Sequence, residues 1–242
     1  MAEPITFYDI ASGPPIRSYA LNFKRVHSGL DYATCWTELT EITQVRKSLG
    51  ATPCRKHSRD SSDFFTLPII VDHSTNEVIG DSFQIALYLD TTYPSSPQLF
   101  PGPTNAVYRD FNAHVDKVFT DYVMLCLHTM PFNPKTASKS QAEFCKRAAR
   151  QDWVEFAVCG CERTEMLREF ERVLGELANS YSKLGGVVLS GTPTPTYADL
   201  IVGGWLWMLK ETLPEWDMVR GWQDGLWGRL HDGLTQTYGR AD

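Results

Sequence analysis

The first part of the chain changes its hydrophobic period every few residues, and the changes mark short elements. Ile5-Thr6-Phe7-Tyr8-Asp9-Ile10 alternates and is rich in β-formers, which predicts a strand. Ala11-Ser12-Gly13-Pro14-Pro15 breaks it. A short helix is expected over Ser18 to Val26, then a turn at His27-Ser28-Gly29 and a second strand from Tyr32 to Leu39. Ile42 to Leu49 reads as a helix stopped by Gly50, which tolerates the left-handed conformation. The polar stretch Cys54 to Asp63 is expected as a surface loop. Leu67-Pro68 then enters a strand at Ile69 to Val71, followed by a turn over Asp72 to Asn76, a strand at Glu77 to Ile79 and a helix from Asp81 to Tyr93. The order is βαβα followed by ββα, a parallel crossover and then a hairpin closed by a helix.

After the turn-dense stretch from Pro94 to Pro103 the period becomes helical. Val107, Phe111, Val115, Val118 and Tyr122 fall on one helical face, as do Met166, Phe170, Val173, Leu174 and Leu177. Thr196-Tyr197-Ala198-Asp199 has the spacing of a capping box and opens a helix carrying Ile201, Trp205, Met208 and Leu209. A tryptophan-rich helical region over Glu215 to His231 closes the pattern. The predicted fold class is α/β plus all-α: an N-terminal thioredoxin-like βαβαββα domain over residues 1–94, a linker over 95–104 and an all-helical domain over 105–242.

Composition narrows the function classes. With 43% hydrophobic and 21% charged residues, the 242-residue chain has a soluble globular balance and enough length for a substantial core. A net charge of −6 argues against a nucleic-acid surface, which needs clustered Lys and Arg. Met1-Ala2-Glu3-Pro4 lacks the features of a signal peptide, and Leu200 to Leu209 is about half of a membrane span, so a cytoplasmic location without membrane association is expected. The six cysteines are expected as reduced thiols, and Cys159-Gly160-Cys161 has no companion ligands, so no metal is expected. No serine-hydrolase elbow, P-loop or dinucleotide fingerprint occurs.

Two short motifs carry the candidate chemistry. A proline at a strand entrance has no N–H, which leaves backbone groups of its neighbour available to a partner. Asp81-Ser82 at a helix start gathers unpaired N–H groups and the positive end of the helix dipole, although capping alone would account for both residues. Together they suit a small extended peptide with terminal charges.

With this element order, Tyr19-Ala20-Leu21-Asn22-Phe23-Lys24, Val45-Arg46-Lys47, Arg55-Lys56-His57, Thr66-Leu67-Pro68-Ile69-Ile70, the run Asp81 to Asp90 and Pro195-Thr196-Tyr197-Ala198-Asp199, the chain resembles the glutathione transferase family. Within it the likeness is to the fungal-specific transferases related to bacterial lignin β-etherases. The resemblance implies a cis Leu67–Pro68 bond, with the Leu67 backbone pairing with the cysteinyl amide of glutathione as an added strand. It implies that Ser82 and its N–H hold the γ-glutamyl carboxylate and that Asp81 takes the ammonium. Arg55, Lys56 and His57 would meet the glycyl carboxylate. It also implies a cytoplasmic homodimer in a detoxifying role, with glutathione as co-substrate and no metal.

A transferase lowers the pKa of the glutathione thiol, usually with a hydroxyl at the start of the first helix. The resembled class carries a longer segment there with a Trp-Lys-Thr-Arg-like turn, whereas here Pro15-Ile16-Arg17-Ser18 runs directly into Tyr19. Ser18 is the first candidate for the hydroxyl by position, Ser12 the second and Tyr8 the third. No cysteine lies in this region, which disfavours mixed-disulfide chemistry. The electrophile would rest against Tyr8, Phe119, Tyr122 or the Trp205/Trp207 helix. Two functions follow: thiolate attack on hydrophobic aromatic electrophiles, by conjugation or ether thiolysis, or a ligandin that sequesters aromatic or polyphenolic compounds with little turnover.

Overall fold

The computed structural model describes residues 5–14, 30–56, 60–95, 97–102, 104–184 and 194–238. The helix expected over Ser18 to Val26, Ser18 itself and His57 lie outside the described residues.

The N-terminal half is built on four strands, β1 (Ile5–Ile10), β2 (Tyr32–Thr37), β5 (Ile69–Asp72) and β6 (Glu77–Gly80), in the order β2-β1-β5-β6. β1 and β2 run parallel, as the predicted crossover requires, and β5 is antiparallel to both β1 and β6. Alternation along the strands puts Ile5, Phe7 and Ile70 into the large core shared with the helical half. Tyr8, Ile10 and Ile69 fall on the other face, where Leu39, Phe65, Leu67 and Ile42 of helix α1 (Ile42–Ser48) cover them. Helix α2 (Ser82–Thr92) packs Phe83, Ile85, Ala86 and Leu89 inward.

The stretch expected as a plain loop contains a small hairpin, β3 (Arg55–Lys56) against β4 (Asp63–Phe64). Cross-strand chemistry accounts for it: Lys56 pairs with Asp63, and the Arg55 guanidinium lies 4.6 Å from the centre of the Phe64 ring. At the far end of the sheet Asp72 accepts hydrogen bonds from the hydroxyls of Tyr88 (2.8 Å), Tyr93 (2.5 Å) and Ser74 (2.6 Å), tying the β5–β6 turn to α2. Burial pushes the Asp72 carboxyl up, but these donors and the Ser74 N–H outweigh it and hold its pKa below the ordinary value.

The helical half comprises α3 (Ala106–Asp121), α4 (Met124–Leu127), α5 (Ala137–Ala148), a 3-10 turn (Trp153–Phe156), α6 (Gly160–Lys183), α7 (Tyr197–Thr212), α8 (Trp216–Val219) and α9 (Trp222–Tyr238). The predicted α3 stripe is shifted by one position at its start. Val107 is exposed and Tyr108 is buried in its place, because the face continues through Phe111, Val115 and Val118 at the helical period. The closing region is two helices, and α9 runs on to Tyr238 after a left-handed turn at Gln223, Asp224 and Gly225. α7 starts with the predicted capping box: Asp199, fully buried, accepts from the Thr196 N–H at 2.7 Å and the Thr196 hydroxyl at 2.9 Å, and also from the Tyr181 phenol.

Among the described residues the halves meet at two places besides the contact of Gly13 with Pro131. Phe83 and Phe100 interlock with Tyr108 and Tyr197, Phe100 stacking on Tyr197 at 5.0 Å. Leu99 is pinned from both sides, its N–H to Asp90 (2.7 Å) and its carbonyl to the Tyr197 N–H (2.8 Å). At the second place α5 docks on the other face of the sheet, where Arg147 donates to the carbonyls of Phe65 (3.2 Å) and Leu39 (3.4 Å) and Thr136 donates to Glu38 (3.0 Å).

Candidate active site

The two motifs singled out in the sequence are bonded to each other. The Leu67–Pro68 peptide is cis, and Leu67 lies ahead of Ile69, the first residue of the β5 ladder. One step beyond the Ile69–Gly80 pair, the Asp81 N–H donates to the Pro68 carbonyl at 3.3 Å. The strand entrance and the α2 start are therefore successive rungs of one ladder. Asp81 has a left-handed φ of 78° and caps α2, its carboxylate accepting from the Phe83 N–H at 3.0 Å. That bond leaves the Ser82 N–H as the helix-start donor beside the exposed Asp81 side chain.

Underneath sits Arg46, which the sequence offers within Val45-Arg46-Lys47 but with no assigned role. It is buried, donates to the carbonyls of Thr66 (2.6 Å) and Thr52 (2.7 Å), and has no carboxylate in contact among the described residues. Its Nε is unpaired. The two bonds hold together the base of the β3–β4 hairpin and fix the residue before Leu67. The guanidinium lies against Gly80, where a Cβ would stand 2.6 Å from it, so a side chain one residue before Asp81 would have to displace the guanidinium. The only hint in the sequence is a basic residue in the last turn of a short helix, a position where capping by solvent-exposed cations is common.

Ser82 is also engaged from the helical half. Its hydroxyl is close enough to the phenol of Tyr197, the first residue of α7, to oppose the rise that burial imposes on the phenol's pKa. The Tyr197 phenol donates to Asn112 Oδ1 at 2.6 Å, Asn112 Nδ2 donates to Asp116 at 3.0 Å, and Trp205 Nε1 donates to the other Asp116 oxygen at 3.2 Å. Burial raises the Asp116 pKa; the Trp205 bond opposes this, and the charge of Asp81 adds to it. Burial likewise pushes the Tyr197 phenol well above its ordinary value. Asn112 and Asp116 lie four apart on α3, a spacing that brings them together but gives no sign in the sequence that α7 would meet them.

Beyond the end of β1, Ser12 is buried and its hydroxyl donates to the Gly13 carbonyl at 3.2 Å. Gly13 lies so close to the Pro131 and Phe132 carbonyls that a Cβ would stand 2.7 and 2.8 Å from them. Tyr8 stands opposite Ile69 in the ladder, two residues from Leu67. Burial, and then the charge of Cys35, raise its pKa, which keeps it a neutral phenol. Phe132, Phe144 and Trp153 pack edge to face beside Gly13, with centroids 5.4 to 5.9 Å apart and all three half-buried. By contrast Phe119 is enclosed between Trp205 (5.3 Å) and Phe170 (5.8 Å), and Tyr122 stacks on Phe170 at 4.9 Å. Both belong to the packing of the helical half, as their helical stripe implies. Lys56 is on the exposed hairpin, paired with Asp63.

Among the described residues no group of His, Cys, Asp and Glu is arranged to hold a metal ion, and no helix is long and apolar enough to cross a membrane. All six cysteines are free thiols.

A thioredoxin-like sheet with a cis-proline rung against a capped helix, joined to an all-helical half, defines a class of protein that comparison makes specific. Residues 106–238 match the family described as Glutathione S-transferase, C-terminal domain, and the chain belongs to the glutathione S-transferase family. The whole chain is similar to solved fungal structures. The glutathione S-transferase CsGST63524 of Ceriporiopsis subvermispora, in complex with glutathione, is 27% identical with a TM-score of 0.84, over 99% of both chains. Glutathione transferase GSTFuA2 of Phanerochaete chrysosporium is 26% identical with a TM-score of 0.80, over 100% of both. CsGST83044 of Ceriporiopsis subvermispora, also in complex with glutathione, is 25% identical with a TM-score of 0.78, over 98% of this chain and 100% of that one. No curated protein matches the chain.

Proposed function

We propose that this protein binds glutathione across the Leu67–Ser82 ladder and presents its thiol to hydrophobic aromatic electrophiles, by conjugation or ether thiolysis. The observation that carries the reading is the Asp81 N–H to Pro68 carbonyl bond, which sets the strand-like edge at Leu67 and the helix start at Ser82 side by side. In this reading the Leu67 backbone pairs with the cysteinyl amide, the Ser82 hydroxyl and N–H take the γ-glutamyl carboxylate, Asp81 takes the ammonium, and Arg55, Lys56 and His57 meet the glycyl carboxylate. The aromatic part of the electrophile rests on Phe132, Phe144 and Trp153 rather than on Phe119 or Tyr122. Residues 1–94 form the glutathione-binding domain, 95–104 the linker and 105–242 the helical domain, and the protein works as a cytoplasmic homodimer.

The hydroxyl that serves the thiolate is Ser18, with Ser12 and Tyr8 as the other candidates. A second reading, a ligandin with little turnover, is favoured by one observation: the buried Ser12 hydroxyl already donates to Gly13. Calorimetry with glutathione tests the first half of the proposal. Ser82→Ala is expected to weaken binding about tenfold, the loss of a hydrogen-bonding group at a charged ligand. Ultraviolet titration of the bound thiol tests the second half: a pKa below that of free glutathione is expected, and an unchanged one would leave only the ligandin.

A further inference from the structure

Three successive carbonyls on the approach to Leu67 are each held by a different part of the molecule. The Phe64 carbonyl accepts the Cys54 N–H, beside β3, at 3.0 Å, and the Thr66 carbonyl accepts from buried Arg46 at 2.6 Å. Between them the Phe65 carbonyl accepts at 3.2 Å from Arg147, a residue of α5 in the helical half. Every nitrogen of the Arg147 guanidinium is engaged. Nη2 donates to the Leu39 carbonyl at 3.4 Å, and Nε donates at 2.9 Å to Glu143, one turn earlier on α5. So fixed, the guanidinium lies 5.5 Å from the centre of the Phe64 ring. Arg55, opposite Phe64 in the hairpin, lies over the same ring at 4.6 Å.

The two basic residues of β3 differ in what they can still offer a ligand. Lys56 is paired with Asp63, whereas Arg55 has no carboxylate in contact among the described residues. Glu143 balances the charge of Arg147, so the charge left over at this ring is that of Arg55. Resting on the glutathione reading above, we propose that Arg147 is a positioning residue for Arg55. From the helical half it fixes the Phe64 ring, and the ring holds the uncompensated guanidinium ready for the glycyl carboxylate. An arginine on a short exposed hairpin would otherwise sample many rotamers, and ordering it before the ligand arrives removes that cost from binding. The helical half thus takes part in recognising glutathione through a side chain that does not touch it.

Calorimetry on the full chain tests this by comparing glutathione with its glycyl amide, the same tripeptide with that carboxylate neutralised. Wild type is expected to prefer glutathione about tenfold, the scale of a hydrogen bond to a charged group. Arg147→Met should cut the preference to about two- to threefold by weakening glutathione alone, and Arg55→Met should abolish it. Because the two residues act in series, the double variant should match Arg55→Met rather than add to it. Phe64→Leu leaves the hydrogen bonds of Arg147 in place and should repeat the effect of Arg147→Met, while Phe64→Tyr should keep the wild-type preference. That pair carries the test if Arg147→Met does not fold. If Arg147 only holds α5 to the sheet, its loss weakens both ligands in parallel; that result, or a wild type indifferent to the glycyl charge, would overturn the inference while the Leu67–Ser82 reading stands. Binding of neither ligand to wild type would remove the reading itself.

Discussion

The Ser82 end and the Ser12 end of the site are held by different balances of contact. The Ser82 end is fixed mainly by directional hydrogen bonds: a ladder rung from Asp81 to Pro68, a cap from Phe83 to Asp81, and a side-chain chain from Tyr197 that ends on Asp116. At the Ser12 end a single backbone hydrogen bond, from the Gly13 N–H to the Pro131 carbonyl at 2.5 Å, is joined by backbone closeness and aromatic packing, with Gly13 against the Pro131 and Phe132 carbonyls and Trp153 against Phe132 and Phe144. Charged ligand groups need directional partners held in register, whereas an apolar ligand needs area and tolerates variation in which rings supply it. One end is suited to a constant ligand and the other to a varying one.

Arg46→Met should affect the Ser82 end most. Two carbonyls, those of half-buried Thr66 and of Thr52, would lose charge-assisted donors from a buried guanidinium, and a loss of about 2–4 kcal/mol in urea unfolding is expected, with glutathione binding falling along with it. A variant of wild-type stability would break the claim that this end rests on Arg46. Trp153→Leu should act at the other end alone, weakening binding of an anilinonaphthalene sulfonate dye about three- to tenfold while glutathione affinity stays within about twofold. Equal losses for both ligands would merge the two ends into one.

The smallest effect concerns the support of the sheet far from both ends. The folded Asp72 pKa is held below its unfolded value of about 4. Its contribution to stability is fully present above that unfolded value and is lost as the pH falls through the folded one. Asp72→Asn should therefore lower stability at neutral pH and flatten the acid limb of a stability-versus-pH curve. Both variants of the binding ends, Trp153→Leu and Ser82→Ala, should retain that limb.

What could be read before folding was whatever depends on near neighbours. Alternation gave the β1 strand at Ile5–Ile10, helical spacing gave the α6 stripe through Phe170, Leu174 and Leu177, and Thr196 and Asp199 gave the start of α7. The β3–β4 hairpin escaped because its stability lies in cross-strand pairs, Arg55 on Phe64 and Lys56 with Asp63, that a polar composition does not distinguish from a loop. Phe119 and Tyr122 were equally compatible with a ligand wall and with a core, since one helical face can serve either until its neighbours are placed.

By itself, the sequence determined the first strand, the βα and ββα units between Tyr32 and Thr92, the helical second half, and the pair Leu67-Pro68 and Asp81-Ser82, because each depends on backbone preferences and periods that act over a few residues. The tertiary structure alone decided that Arg46 lies under Gly80, that Phe132, Phe144 and Trp153 gather beside Gly13, and that Tyr197 reaches Ser82. The last of these joins residues more than a hundred positions apart, a separation that no local period or backbone preference spans.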